Sequence, residues 1–101
     1  MTDTTDPGFT GDATETFTDG RIAASGPYLN GRKDGIWTSF NRKGNVRGRG
    51  AFVDGEMDGS WEWFREDGSR MRSGHFTRGE QTGEWITWDA QGNAVTTKNF
   101  S

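Results

Sequence analysis

The sequence predicts an all-β protein, an elongated single-layer antiparallel β-meander, and three observations carry that expectation. Glycines and aromatics recur every 24 residues: Gly26/Gly50/Gly74, Gly31/Gly55/Gly79, Gly35/Gly59/Gly83, Trp37/Trp61/Trp85, Phe40/Phe64/Trp88 and Gly44/Gly68/Gly92. A fixed period of this length marks a repeat array, in which each unit buries apolar groups against its neighbours. Asp-Gly steps at 19, 34, 54, 58 and 67 and Asn-Gly at 30 supply the positive φ that tight hairpin turns need. Between turns lie short aromatic-rich runs without helical spacing, and frequent glycine penalises any helix.

Residues 1–16 are expected to form a disordered acidic tail, with the repeat domain at 17–101 and its units at 26–49, 50–73 and 74–97. The first 20 residues carry five carboxylates and no base, so against a total charge of −3 the remaining chain is mildly basic. Phe17–Ser25 aligns with the second half of a unit through Gly20 and Ile22, which places a first strand at 21–28 ending on Gly26-Pro27-Tyr28. A strand at 35–41 carries Trp37 and Phe40, and one at 45–53 carries Gly50-Ala51-Phe52. The next, at 59–65, holds Trp61, Trp63 and Phe64; 69–77 holds Gly74-His75-Phe76; 83–89 holds Trp85 and Trp88. The last, at 93–100, ends on Phe100, one period after Phe76, so that half-units cap both ends.

Side chains alternate along a strand. Trp61 and Trp63 therefore share a face and Phe64 takes the other, so both faces carry an aromatic column. Gly26, Gly50 and Gly74 leave room for a large ring to lie across the neighbouring strand.

Few catalytic chemistries are open to this chain. It has no cysteine, which removes thiolate catalysis, disulfides and cysteine-zinc sites. The single histidine, His75, has Ala51 at its matching position and no second histidine to join in a metal cluster. Asp54-Gly-Glu-Met-Asp58 has the look of an oxygen-ligand calcium loop, but its counterparts at 30–34 and 78–82 do not keep the carboxylates, so turn chemistry accounts for it. No phosphate-cradling motif opens a helix. No enzyme activity, cofactor or metal is expected. The N-terminus lacks the basic and apolar regions of a signal peptide, and no 18 apolar residues run together, so a cytoplasmic protein is expected.

The pattern Gly-x-aromatic-x-x-Gly-x-x-x-Gly-x-Trp-x-x-aromatic-x-x-x-Gly spans Gly26–Gly44, Gly50–Gly68 and Gly74–Gly92. It resembles the MORN-repeat variant of the bacterial YwqK-like antitoxin family. The resemblance implies a twisted, elongated, single-layer sheet that serves as a scaffold for protein contacts, in some relatives with membrane or phosphoinositide association. It also implies an antitoxin- or immunity-like role against a toxin or effector.

The expected function is accordingly stoichiometric contact with an unidentified protein partner, since a single layer is expected to leave aromatic surface uncovered. Self-association through open edge strands is the alternative. Nucleic-acid binding, which aromatics interleaved with arginine can serve, is disfavoured by the negative charge and by Arg47/Arg49 falling on the opposite parity from Arg70/Arg72. The candidate partner-binding residues are Trp63, Arg47, Arg49, Arg70 and Arg72. Trp63 leads them because it alone among the tryptophans breaks the period, aligning with Ser39 and Thr87. On that reasoning Trp63→Ser leaves folding intact and weakens partner binding.

Overall fold

The computed structural model describes residues 8–100. They form one open antiparallel sheet with strands β1 (Gly11–Thr16), β2 (Ile22–Leu29), β3 (Arg32–Lys33), β4 (Gly35–Phe40), β5 (Val46–Val53), β6 (Glu56–Phe64), β7 (Arg70–Thr77), β8 (Glu80–Trp88) and β9 (Ala94–Phe100). Spatial order follows chain order, except that the short β3 pairs with β2 beside β4. The sheet is thin and elongated, 46 × 33 × 15 Å.

Two kinds of turn alternate. At one end, Asn30-Gly31, Asp54-Gly55 and Arg78-Gly79 all have positive φ, near 50° and then near 85°. This is the mirror-image two-residue turn whose twist matches that of paired strands. Their amides do not point into water. The Asn30, Asp54 and Arg78 N–H groups donate to Thr10 Oγ1, Asp34 Oδ2 and Asp58 Oδ2 at 3.0, 3.2 and 3.1 Å. The Gly31, Gly55 and Gly79 N–H groups donate to the Phe9, Lys33 and Met57 carbonyls at 2.7, 2.8 and 2.8 Å. Each tip thus leans on the strand before it. At the other end, Gly20, Gly44, Gly68 and Gly92 close longer turns with N–H bonds to the Phe17, Asn41, Arg65 and Asp89 carbonyls. Asp89 Oδ1 accepts the Gln91 and Asn93 amides, and Asp67 Oδ1 accepts the Ser69 amide and hydroxyl. The Ser69 hydroxyl holds the Asp67 carboxyl below its ordinary value, as the Asn93 amide does for Asp89.

The core is one repeated contact. Trp37, Trp61 and Trp85 lie across Gly26, Gly50 and Gly74 of the adjacent strand, so closely that a Cβ on those glycines would stand 2.4, 2.0 and 2.1 Å from the indole. Each indole N–H then reaches the carbonyl of the residue after that glycine: Pro27 at 2.8 Å, Ala51 at 2.9 Å and His75 at 3.2 Å. The tryptophans are only 3%, 6% and 5% exposed, although no second layer covers them. Neighbouring rings do the covering, with Tyr28, Phe52 and Phe76 meeting the indoles at 5.6, 5.2 and 5.1 Å and steep angles. The expected wealth of uncovered aromatic surface is therefore not present. The large apolar side chains left exposed are aliphatic, among them Ile36, Val53 and Val95.

Three strand expectations are corrected. Gly11–Thr16, expected within a disordered tail, forms β1 and pairs with β2 from Gly11↔Tyr28 to Thr16↔Ile22. Phe9, also in that stretch, is 8% exposed and packs 5.8 Å from Tyr28. The physical reason is that Ala13 occupies the place one period before Trp37, and Phe9 fills the space left by the missing indole. Residues 1–7 of the expected tail lie outside the described residues. Next, β6 and β8 begin at Glu56 and Glu80 rather than at 59 and 83, because Asp58-Gly59 is no hairpin turn. Asp58 locks the next tip, and Gly59 sits mid-strand with φ 107° opposite a break in the β5–β6 register. In the first unit the equivalent strand is split at Asp34 into β3 and β4.

Three outcomes are expected in chemical denaturation. Gly50→Ala costs about 3 kcal/mol by forcing a methyl into Trp61, whereas Gly44→Ala, with open space around it, costs only about 1 kcal/mol of backbone strain. Phe9→Ala costs about 3 kcal/mol, which an extension without packing would not. Arg78→Asn raises stability by about 1 kcal/mol, because Arg78 holds a left-handed φ of 51° that Asn tolerates.

Candidate interaction face

Cross-strand partners share a face, and the register sorts the sheet into two. One face carries Trp37, Trp61, Trp63 and Trp85 with the rings between them. The other carries Arg49 opposite Thr38 and Glu62 opposite Ser73, a polar centre. Towards the longer turns it also carries Phe40, Phe64 and Trp88, paired with Val46, Arg70 and Ala94.

Trp63 occupies a slot in the aromatic ladder. Its ring stacks on Trp61 at 5.7 Å and 25° and on Trp85 at 5.6 Å and 27°, with Phe76 edge-on at 6.2 Å. Gly48 lies beneath it, where a Cβ would stand 2.9 Å from Trp63 Cδ1. Arg72, directly opposite in β7, covers the stack, with its guanidinium carbon 4.7 Å from the Trp63 ring and 5.1 Å from the Trp85 ring. The expectation that the fold places no demand on Trp63 is corrected by these contacts. The period does not require an indole there, yet the indole present is packed on three sides.

The candidate arginines do not form one cluster. A register shift between Trp63 and Phe64 bulges β7 at Met71 and sends Arg70 and Arg72 to opposite faces. Arg70 covers Trp88 at 4.4 Å on the far face, and Arg49 pairs weakly with Glu62 at 3.9 Å on that same face. Arg49 and Arg70 thus share a face and Arg72 has the other. The expected grouping of Arg47 and Arg49 against Arg70 and Arg72 is corrected, because simple alternation cannot register one extra residue. Arg47, in the matching bulge of β5, is exposed, belongs to no ion pair among the described residues, and lines a cleft with Trp63.

That cleft was not foreseen. It encloses about 280 Å³ where Ser39 stands in the place that Trp63 fills one period later, and Trp37, Phe52, Met57 and Trp61 wall it. At its rim, Lys33 Nζ sits 4.5 Å from the Trp37 ring and 3.3 Å from the Glu15 carboxylate. The signal in the sequence is a small residue, Ser39, aligned with a tryptophan, and it marks an opening at Ser39 as much as a ring at Trp63.

The remaining polar chemistry is structural in its contacts. Asp34 and Asp58, from the calcium-like segments, accept turn amides. Asp54 pairs with Arg32 at 3.1 Å. His75 Nδ1 lies 3.2 Å from the Thr82 hydroxyl, itself 2.9 Å from that of Thr77. Among the described residues no three metal-ligating side chains cluster.

Compared with protein-family models and with curated proteins, the chain matches none.

Truncating Trp63 is expected to be costly: Trp63→Ser lowers unfolding free energy by about 3 kcal/mol and weakens the near-ultraviolet circular dichroism of the stacked indoles. Unchanged stability would mean that the ladder does not depend on this ring.

Proposed function

We propose that the protein is a small protein-binding module without catalytic activity, acting in the cytoplasm by stoichiometric contact with a partner protein. On this reading it is a MORN-like repeat protein of antitoxin or immunity type, whose partner is a toxin or effector. The observation that carries the reading is the interruption of the aromatic ladder at Ser39. A chain built only to stabilise its own sheet would fill that place as Trp63 fills the next. Instead there is an aromatic-walled cleft with Lys33, Glu15 and Arg47 about it. Arginine beside desolvated aromatics is the composition of binding hot spots. Among the five candidate residues, Arg47 is the one free of structural pairing on this face, so it takes the leading place that sequence reasoning gave to Trp63.

A second reading, a self-associating scaffold, is favoured by one observation. Among the described residues, β1 and β9 each pair with a single strand and leave an edge open. Nucleic-acid binding draws little support, since the arginines are divided between two faces.

The test is affinity capture from the host with the wild-type chain and Arg47→Glu as paired baits. A protein retained by the wild type and depleted about tenfold or more by the variant, equivalent to the loss of more than about 1.4 kcal/mol, is expected while the two thermal midpoints agree. Identical retention by both would overturn the reading. Concentration-dependent sedimentation of the purified protein would favour the scaffold.

A further inference from the structure

The chain contains an internal template for the group that its cleft would take. Positions 15, 39, 63 and 87 are equivalent by the 24-residue period and hold Glu15, Ser39, Trp63 and Thr87. At position 63 the indole is clasped between the ladder tryptophans Trp61 and Trp85, parallel to both within 27°. At position 39 the flanking tryptophans are Trp37 and Trp61, with Phe52 where Phe76 stands, and the ring between them is missing. Ser39 donates its hydroxyl to the Gly48 carbonyl at 3.3 Å and projects no further side chain into the gap. The resulting cleft, about 280 Å³, lies at the small end of ligand sites and suits one ring system better than an extended molecule.

We propose that this cleft binds the indole of a tryptophan side chain presented by a partner polypeptide, stacked between Trp37 and Trp61 as Trp63 is between Trp61 and Trp85. The proposal rests on the protein-binding reading above and names the group recognised. The floor of the cleft sets the depth. Gly48 beneath Trp63 has no Cβ, whereas the equivalent residue beneath the cleft is Ala24, which is buried. An entering ring rides higher by about the thickness of that methyl, towards Lys33 and Glu15. The Glu15 carboxylate is an acceptor for an indole N–H. Lys33 and Arg47 are donors for the carbonyls of the segment carrying the ring. These rim charges favour a polypeptide over free indole.

The experiment titrates the full isotope-labelled chain with an acetylated Gly-Trp-Gly peptide, following the Ser39 amide and the indole N–H resonances of Trp37 and Trp61 by NMR. Saturable shifts are expected, with affinity about tenfold or more above that for acetyl-Gly-Leu-Gly. The double variant Ala24→Gly/Ser39→Trp fills the cleft from within and gives the new ring the floor that Trp63 has. It is expected to abolish the shifts of the remaining reporters while staying folded. Thr87→Trp, which adds the same side chain at the equivalent place beyond the cleft, is expected to leave binding unchanged. Absence of saturable shifts in the wild type, or their persistence in the filled variant, would overturn the proposal. Free indole binding as tightly as the peptide would assign a small-molecule site and overturn the polypeptide assignment. If the peptide fails while Arg47→Glu still abolishes partner capture, the indole assignment falls and the protein-binding reading stands. If the peptide binds through the cleft while capture is indifferent to Arg47→Glu, that reading falls and the indole site stands.

Discussion

A tryptophan lying flat on a glycine is the constraint on which the rest of the sheet depends. A single layer has no opposing layer to bury its apolar side chains, so burial has to be found within the layer. Turning each indole across the neighbouring strand achieves this, but only where that strand has no Cβ under the ring. The indole N–H would then be lost from water, and the carbonyl one residue beyond the glycine receives it. Burial, close approach and polar satisfaction are thus met by one contact. Pro27 can hold the position after Gly26 because what the indole takes from it is a carbonyl.

The ends of such an array need separate treatment, and the two ends are handled differently. At the start, Ala13 stands in for the first indole and Phe9 folds into the vacated space against Tyr28. At the finish, Lys98 takes the place held by glycine in the preceding units and pairs with Trp85 across the last ladder. Its ammonium lies 5.2 Å from the Phe100 ring. A lysine there obstructs any further indole from lying across β9. A charge on an edge strand is a common means of discouraging indiscriminate pairing.

The sheet and most of its turns were legible because glycine, tryptophan and Asx-Gly steps keep the period, although the Asp34-Gly35 and Asp58-Gly59 steps lie off the hairpin tips, where the side chain accepts a neighbouring tip amide. What was missed follows from the same reliance on conspicuous residues. β1 lacks a tryptophan, and the only sign of it in the period is Gly11, which stands 24 residues before Gly35. Alternation predicts one face for Arg70 and Arg72, and the bulge at Met71, which alternation cannot register, puts them on two. Trp63 departs from the period, and on that ground the sequence predicts a dispensable ring. Departure from a repeat shows only that the backbone does not impose the residue, and the neighbouring rings can still hold it. The cleft required geometry, since a serine aligned with a tryptophan becomes an opening only when the rings around it stay in place.

The tips at the two-residue turns give the molecule a direction. The first amide of each tip is accepted by a side chain about 20 residues earlier in the chain: Asn30 by Thr10, Asp54 by Asp34, Arg78 by Asp58. The indole N–H groups point the same way. At the opposite end the links run forwards, from the Arg21, Asn45 and Arg65 side chains to the Arg42, Glu66 and Trp88 carbonyls; the first two bonds are exposed and the Arg65 bond is half-buried against Trp88. A chain emerging from the ribosome N-terminus first therefore meets, at each new hairpin, acceptors that are already in place. Shortened from its C-terminus, the sheet would leave no tip amide stranded. Shortened from its N-terminus by β1 and the Phe9-Thr10 segment before it, it would leave the amides of Asn30 and Gly31 without their protein acceptors. Backbone donors at the tips thus look back along the chain, while side-chain donors at the opposite end look forward, and each hairpin is tied to both of its neighbours.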